Sequence, residues 1–240
     1  DVNLANKIGV TPLYIAIKRG HTKVVSLLLA KEGVDVNQAD ANGVTPLHIG
    51  SKKGLREVLL LLLAKEGADI NQANKSGVTP LYVASQKGHT KVVSLLLAKE
   101  GVNVNQADKD GVTPLFIASQ NGDTEVVSLL LAKEGVDVNQ ADKDGVTPLL
   151  IASHNGHTKV VSLLLAKEGV NVNQADKDGW APLLVASENG DTKAVSLLLA
   201  KEGVDVNQAD KIGFAPLFFA SHNGHTEVVS LLLAKEGVNV

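Results

Sequence analysis

The hydrophobic positions of the chain recur with a fixed period. Its seven prolines stand 34 residues apart, from Pro12 to Pro216, and each opens a similar apolar stretch. In most periods Pro-Leu-x-x-Ala is followed, after a glycine, by Val-Val-x-Leu-Leu-Leu, which has the i, i+3 and i+4 apolar spacing of amphipathic helices. A constant period of this length indicates a chain built from stacked supersecondary units.

The beginning of each period predicts a turn followed by a short helix. In the second period, Asp40 and Gly43 occupy the first and fourth positions that these residues favour in a type I turn. Thr45 then offers a hydroxyl N-cap ahead of Pro46, and proline is well suited to the first helical position. Gly54 is predicted to end this first helix, because glycine adopts the left-handed conformation without strain.

A second helix is predicted directly after this glycine. In the fourth period, Asp123 or Thr124 is placed to cap it and Gly135 to end it. Neither helix is long enough to be stable alone, because isolated helices shorter than about 12 residues are marginal in water. Neighbouring repeats must therefore bury the Leu-Leu-Leu and Pro-Leu-x-x-Ala positions in one continuous core.

One motif, repeated over the whole chain, resembles the ankyrin repeat: Asp-x-x-Gly-x-Thr-Pro-Leu-x-x-Ala-x-x-x-Gly-His, then Val-Val-x-Leu-Leu-Leu, then Gly-Val-Asp-Val-Asn. The resemblance implies an all-α ankyrin-repeat solenoid of stacked helix-turn-helix units with hairpin-like loops. It also implies a single array over residues 1–240 that serves as a scaffold for protein binding. The repeats of this array are predicted to span residues 6–39, 40–73, 74–107, 108–141, 142–175, 176–209 and, truncated, 210–240.

Two features depart from the family pattern. Ankyrin repeats usually have about 33 residues. The additional residue here lies in Ala-Lys-Glu-Gly, so we expect a longer helix end or loop on the convex side. The family favours histidine after Thr-Pro-Leu, where it helps to tie repeats together, but only His48 occupies that position here. Tyrosine, phenylalanine or leucine stands there in the other repeats, and we expect apolar packing to replace the hydrogen bonds.

Composition narrows the classes of function. With 44% hydrophobic and 20% charged residues, the chain is too apolar for disorder, and it lacks the long uncharged run of a membrane span. Its net charge of −3 gives no indication of nucleic acid or an anionic membrane as a partner. Cysteine is absent, which excludes disulfides and thiolate chemistry, and no targeting segment is visible. We therefore expect a cytoplasmic chain with a protein partner.

In the ankyrin family, partners are usually held by the turn tips and by the exposed face of the first helix, on the concave side. The present repeats differ from one another at these positions. Trp180 and Phe214 follow five valines at the position after the turn glycine, and Ile212 adds an apolar residue at a turn tip. These side chains form either a binding hot spot or a structural cover that packs on a neighbouring helix.

Charge at the same positions changes along the chain. Lysine and arginine predominate in the first three repeats, whereas aspartate and glutamate predominate from the fourth repeat onward. This gradient either orients a partner during association or belongs to an ordinary solvated surface. We assign partner binding to Trp180, Phe214, Ile212, Lys18, Arg19, Lys52, Lys53, Lys87, His154, Glu188 and His222.

No arrangement of residues indicates catalysis, a cofactor or a metal site. His154 and His157, like His222 and His225, are spaced for a shared metal, but a glycine lies between them and no third ligand is fixed nearby. Carboxylates recur on solvated turn tips, where burial does not perturb their pKa. The glycines follow the 34-residue period and do not form a phosphate-binding cluster. We therefore predict that the chain is not an enzyme.

These observations leave several hypotheses for the function. The first is a non-catalytic interaction module that binds a macromolecular partner on its concave face. The second is a designed or consensus-like ankyrin scaffold without a natural target, and the third is the ankyrin segment of a larger enzyme or channel. The Leu231 to Leu233 stretch keeps the apolar pattern of the inner repeats. Because terminal repeats normally have a polar outer face, we also expect end-to-end self-association or a chain that belongs to a longer protein.

Overall fold

The computed structural model describes residues 1–239. Within those residues it contains 14 α-helices and no β-strand, with two helices in each repeat. The first helices are α1 (Pro12–Arg19), α3 (Pro46–Lys53), α5 (Pro80–Gln86), α7 (Pro114–Asn121), α9 (Pro148–His154), α11 (Pro182–Glu188) and α13 (Pro216–His222). The second helices are α2 (Thr22–Leu29), α4 (Arg56–Leu63), α6 (Thr90–Leu97), α8 (Thr124–Ala132), α10 (Thr158–Ala166), α12 (Thr192–Leu199) and α14 (Thr226–Leu233). The predicted all-α repeat architecture is confirmed.

The helices form two compact units, Asp1–Pro114 and Leu115–Val240. In the first unit, α1, α3 and α5 pack side by side as one layer, and α2, α4 and α6 form a second layer. In the second unit, α9, α11 and α13 form one layer, and α8, α10, α12 and α14 form the other. Leucines fill the space between the layers: Leu47 and Leu96 in the first unit and Leu164 in the second are almost fully buried. The short helices are thus stabilised by their neighbours, as the sequence predicts.

Each first helix is preceded by a turn in which the side chain of the first residue accepts hydrogen bonds from main-chain amides of the same turn. In the second repeat, Oδ1 of Asp40 accepts hydrogen bonds from two main-chain amides of the turn, at 2.8 and 3.0 Å. The hydroxyl of Thr45 then caps α3 by accepting the amide of His48 at 3.3 Å. Gly54 ends the helix with a left-handed φ of 68°. The predicted turn, N-cap and helix end are confirmed.

The sixth and seventh repeats lack this threonine cap. Ala181 and Ala215 stand in its place, and neither helix α11 nor α13 has a side-chain cap. An alanine N-cap costs about 1 kcal/mol relative to threonine. The same two repeats carry Trp180 and Phe214, so the loss of the cap accompanies the change from valine to an aromatic side chain.

Most second helices begin without a side-chain cap. Asp123, one of the two residues predicted to cap α8, does occupy its N-cap position, but its side chain accepts no capping hydrogen bond. Asp191, the equivalent residue in the sixth repeat, does accept a bond of 3.0 Å from the amide of Ala194. Burial raises the pKa of Asp123, and the charge of His157 opposes that shift. The start of α8 is therefore stabilised by packing of its apolar face.

The asparagine that ends the Gly-Val-Asp-Val-Asn segment, or its equivalent in the repeats where this segment varies, joins its repeat to the next one. Nδ2 of Asn139 donates to the carbonyl of Gly169 at 2.7 Å, and its Oδ1 accepts from the amide of Asn171 at 2.8 Å. The same pair of bonds recurs within each unit at Asn37, Asn71, Asn173 and Asn207. The spacing of neighbouring repeats thus has a directional polar component in addition to the apolar core.

The Ala-Lys-Glu-Gly segment, which contains the additional residue of each repeat, forms a turn after the second helix. In the last three repeats, all in the second unit, the lysine of this segment reaches back to the preceding repeat. Nζ of Lys167 donates to the carbonyl of Leu131 at 2.8 Å, and Lys201 and Lys235 make equivalent bonds of 2.7 Å. A cation at this place satisfies an unpaired carbonyl and interacts favourably with the helix dipole. The additional residue therefore belongs to a segment that supplies a helix cap between repeats.

Candidate partner-binding grooves

The turn tips and first helices of the first unit enclose a groove of about 770 Å³. It is lined by Lys18, Lys52, Lys53 and Lys87, which are among the residues predicted to bind a partner. We call this surface the basic groove. Apolar side chains, including the buried Ile49, form part of its floor. The structure thus brings four lysines from three successive repeats to one surface.

Arg19, which was predicted to belong with these lysines, lies apart from them. Its exposed side chain lines a separate depression, together with Ile15, Val24 and Leu28. The guanidinium therefore does not contribute to the basic groove.

Two side chains from adjacent repeats meet in the wall of the basic groove. The hydroxyl of Tyr14 donates to Oδ2 of Asp40 at 3.0 Å. Burial of the phenol, with a further contribution from the hydrogen bond and the charge of Asp40, raises the pKa of Tyr14 to about 12. Burial likewise raises the pKa of Tyr82 to about 12, and the carboxylates of Asp108 and Asp110 add to the shift. Asp108 accepts the hydrogen bond of this second phenol.

These tyrosines correct one expectation from the sequence. Tyr14 and Tyr82 occupy the position of the family histidine, where apolar packing alone was expected to join the repeats. That expectation is wrong at both residues, because each hydroxyl bonds an aspartate of the next repeat. It is confirmed at Leu150 and Leu184, which are buried and apolar.

His48 is the polar link that the family pattern predicts. Its side chain is only 2% exposed. Nε2 donates to the carbonyl of Val78 in the next repeat at 2.8 Å, while Nδ1 accepts the amide of Thr45 at 3.1 Å. This arrangement requires the neutral imidazole with its proton on Nε2. Burial lowers the pKa of His48, although the bond to Val78 and the charge of Asp40 oppose the shift.

A second groove, of about 430 Å³, lies on the corresponding surface of the second unit. It is lined by Trp180, His154 and Glu188, all predicted to bind a partner, and by the carboxylates of Asp176 and Asp178. We call it the acidic groove. Valine, leucine and isoleucine side chains complete its lining. The indole is half-buried, so an apolar ring and several carboxylates face the same space.

Aromatic rings form a cluster around α13, the first helix of the seventh repeat. Trp180 packs against Phe219, with ring centroids 5.1 Å apart. Phe214 stacks on Phe218 at 4.0 Å, and Phe218 in turn stacks on His222 at 5.9 Å. Phe214 and Phe218 are nevertheless 36% and 43% exposed. The predicted residues Phe214 and His222 therefore pack on a helix and also present ring surface to solvent.

Phe218 and Phe219 were not predicted to belong to a site. The signal that could have identified them is the Pro-Leu-Phe-Phe-Ala stretch, together with alanine in place of the capping threonine in the same repeat. Ile212, which was predicted, is 77% exposed at its turn tip and does not line the acidic groove. The sequence therefore identified Trp180 correctly as a groove residue, but it did not show that Ile212 lies outside the groove.

The histidine pairs are divided between different roles. Nε2 of His157 donates to the carbonyl of Gln120 in the preceding repeat at 3.0 Å, whereas His154 lines the acidic groove. Nε2 of His225 likewise donates to the main-chain carbonyl of Glu188 at 2.9 Å. Within residues 1–239, no three histidine, aspartate or glutamate side chains are grouped so that they could hold a metal ion. None of the helices in that range is both long and apolar enough to cross a membrane.

The same repeat organisation is found in known proteins. A family model described as ankyrin repeats (3 copies) matches residues 1–74, 60–142, 133–210 and 168–240. The crystal structure of an ankyrin repeat domain from Acinetobacter baumannii AYE is 31% identical in sequence, with a TM-score of 0.74. That alignment covers 79% of the present chain and 97% of the other. Comparison with curated protein sequences gives no match.

Proposed function

The chain belongs to the ankyrin-repeat family, and from this premise we propose that it is a non-catalytic protein-interaction module whose turn tips and first helices bind a macromolecular partner on the concave face. Ankyrin repeats are in general protein-interaction modules. The partner in this proposal is a protein.

The observation that carries the proposal is that the repeats differ from one another at the grooves. Second helices repeat Val-Val-x-Leu-Leu-Leu with few changes, because these residues fill a common core. In contrast, the groove position of Lys18 is occupied by lysine, glutamine, histidine or glutamate in later repeats. The exposed groove position thus changes in both size and charge, whereas the leucines of the common core change little. Variation of charge at an exposed groove is what selection for a particular partner produces.

Trp180 is the strongest candidate anchor for this partner. Its ring lines the acidic groove and is supported on one side by Phe219. Aromatic side chains at the centre of an interface contribute a disproportionate share of binding energy, above all when apolar groups surround them. The carboxylates beside the ring would favour a partner segment with positive charge at its rim.

The chain itself supplies a conservative test, because five other repeats have valine at the position of Trp180 and Phe214. The full chain is immobilised, and proteins retained from the source organism are compared for the wild type, Trp180→Val and Phe214→Val. We expect a partner that is retained by the wild type and lost from Trp180→Val. Thermal melting of the same variants supplies the control.

Other outcomes would contradict the proposal. Unchanged retention with a lowered melting temperature in both variants would mean that the rings are structural cover. If the wild type retained no protein, the chain would be a scaffold without a target. An enzymatic activity that depends on groove residues would show that binding is not its function.

End-to-end self-association is a second proposal for the partner. Leu27 is 75% exposed on α2, and Leu233 is 47% exposed on α14, although both belong to the apolar pattern of the second helices. Exposed apolar area of this kind favours association. Light scattering over a range of concentrations should then show a rising mass, and Leu27→Lys should abolish the rise. A constant monomeric mass would rule out this mode.

A further inference from the structure

Two lysines of the basic groove occupy positions that have a structural use elsewhere in the chain. Asn155, Asn189 and Asn223 follow helices α9, α11 and α13, and the Nδ2 of each donates to a carbonyl of the preceding repeat at 2.9 Å. Lys53 and Lys87 stand at the equivalent positions of the second and third repeats. Within the described part of the chain, neither lysine side chain makes a hydrogen bond or ion pair. These repeats thus carry positive charge where a stabilising contact is available to asparagine.

The positive charge of the groove is not neutralised from within. Among its lining residues in the described chain, Asp40 is the one acidic side chain. Both of its carboxylate oxygens are engaged, Oδ1 by two amides of its turn and Oδ2 by the hydroxyl of Tyr14. Lys18 lies 6.0 Å above the Tyr14 ring but has no carboxylate partner among residues 1–239. A ligand with carboxylates would therefore meet unpaired ammonium groups.

On these grounds we propose that the basic groove binds an extended acidic segment of a partner protein, with its carboxylates against Lys18, Lys53 and Lys87. The inference rests on the proposed function and names the chemistry of one partner segment. The three lysines come from α1, α3 and the end of α5, which pack side by side. Neighbouring helix axes lie about 8–10 Å apart. A polyproline II segment repeats its side-chain direction every third residue, with a rise of about 3.1 Å per residue, and so advances about 9 Å.

This match of spacings defines a sequence preference. A segment with aspartate or glutamate at every third position would present one carboxylate to each successive first helix. The distance between its acidic side chains is nearly equal to the distance between neighbouring helix axes. Apolar residues between the acids would contact the floor, which includes Val44 and Val78. The side-chain amide of Asn42, which also lines the groove, forms no hydrogen bond with other described residues. It can therefore pair with the main chain of the bound segment.

A protein segment fits this surface better than nucleic acid does. The net charge of the chain is −3, and Asp108 and Asp110 form the next turn tip of the same unit. A long polyanion that extended beyond the lysines would be repelled there. The groove also pairs its lysines with an apolar floor, which suits side chains between acidic residues. A short acidic segment uses the charge without meeting the acidic tip.

Binding of a fluorescein-labelled peptide of repeated Glu-Pro-Val to the full chain tests the proposal by fluorescence anisotropy. A peptide of identical composition with its glutamates adjacent tests the spacing. The key variant is Lys53→Asn/Lys87→Asn, which removes two charges but introduces the residue that bonds the preceding repeat in the second unit. We expect it to bind the peptide about tenfold more weakly and to melt no lower than the wild type. Weak binding in a stable variant excludes unfolding as the cause.

Lys23→Gln/Lys91→Gln is the matched control, because both lysines are exposed on second helices of the same unit and lie outside the groove. This variant should bind like the wild type. An equal loss of peptide affinity in the groove variant and in this control would mean that only net charge matters, and it would overturn the proposal. Equal affinity of the wild type for the peptide with adjacent glutamates would also overturn it. Tighter binding of single-stranded DNA at the same lysines would assign the groove to nucleic acid instead. If Trp180-dependent retention of a partner persisted while the peptide failed to bind, this inference alone would be wrong.

Discussion

The hydroxyl of Tyr14 donates a 3.0 Å hydrogen bond to Oδ2 of Asp40, a residue of the next repeat. This polar contact stands where the family pattern has a histidine contact. It also fixes the carboxylate of Asp40, whose other oxygen accepts two main-chain amides of its own turn. One side chain thus links the packing of two first helices to the shape of the basic groove. The same relationship recurs between Tyr82 and Asp108.

The first prediction concerns the ionisation of the phenols. The chain has two tyrosines, and the pKa of each is raised from 10.0 to about 12. Phenolate absorbance of the folded chain should therefore increase near pH 12, with little change at pH 10. Tyr14→Phe should halve the amplitude without moving the midpoint of the remaining phenol.

The accompanying effect on stability has a defined sign. Because the folded-state pKa exceeds the unfolded one, the neutral phenols stabilise the fold fully below pH 10, and this contribution is lost as the pH rises toward 12. Urea unfolding at increasing alkaline pH measures the loss. A phenol that titrates at its ordinary pKa in the folded chain would contradict the burial described for these residues.

The second prediction concerns His48. Its pKa is lowered from 6.5 because burial disfavours the imidazolium. The unfolded chain therefore binds a proton at a higher pH than the folded chain does. The contribution of neutral His48 to stability is present above pH 6.5 and is lost as the pH falls toward the lower folded-state pKa.

His48→Leu isolates this effect, because Leu150 and Leu184 occupy the same position in other repeats. The variant loses the bond to Val78, so we expect it to be about 1 kcal/mol less stable at neutral pH. Its free energy of unfolding should decline less steeply than that of the wild type as the pH is lowered below 6.5. Parallel curves for the two proteins would show that His48 does not titrate in this way.

The third prediction restores the missing N-caps. Ala181→Thr and Ala215→Thr should each stabilise the chain by about 1 kcal/mol, since a threonine hydroxyl can accept a hydrogen bond from an amide of the first helical turn. Thr147→Ala provides the reciprocal control, because its hydroxyl accepts the amide of Leu150 at 3.1 Å. Chemical denaturation measures all three variants. A loss of stability in Ala181→Thr would mean that alanine is needed to make room for the neighbouring ring of Trp180.

The fourth prediction removes one polar link between repeats. Asn139→Ala breaks the bonds to Gly169 and Asn171. We expect the free energy of unfolding to fall by about 1 kcal/mol. This is a small loss for two hydrogen bonds, because both are exposed to water. Asn171→Asp is the control, since aspartate occupies that position in alternate repeats. Equal stability of Asn139→Ala and the wild type would limit the role of this asparagine to local geometry.

Features set by neighbouring residues along the chain could be predicted from sequence. Thr45, Pro46 and Gly54 define the start and end of α3 by rules that act within one helical turn, and the structure agrees. The missing capping hydrogen bond at Asp123 shows the limit of such rules. Asp191 occupies the same sequence position and does cap its helix, so the outcome depends on how each side chain is held by the surrounding repeats.

Contacts between repeats were harder to predict than the repeats themselves. The period makes Arg19 equivalent to Lys53, but a groove also depends on which residues of the neighbouring repeats form its walls. For the same reason, the sequence did not indicate that Lys167 would cap the helix ending near Leu131. Their separation of 36 residues is close to one period, and only the packing of adjacent repeats brings them together.

The distribution of aromatic residues has an optical consequence. Trp180 is the only tryptophan of the chain and lines the acidic groove of the second unit, whereas Tyr14 and Tyr82 both belong to the first unit. Indole emission shifts to shorter wavelength when water is displaced from a half-buried ring. Occupancy of the acidic groove can therefore be read from unlabelled protein, while phenolate absorbance reports on the first unit. Each of the two units therefore has its own spectroscopic signal, indole fluorescence for the second unit and tyrosine absorbance for the first.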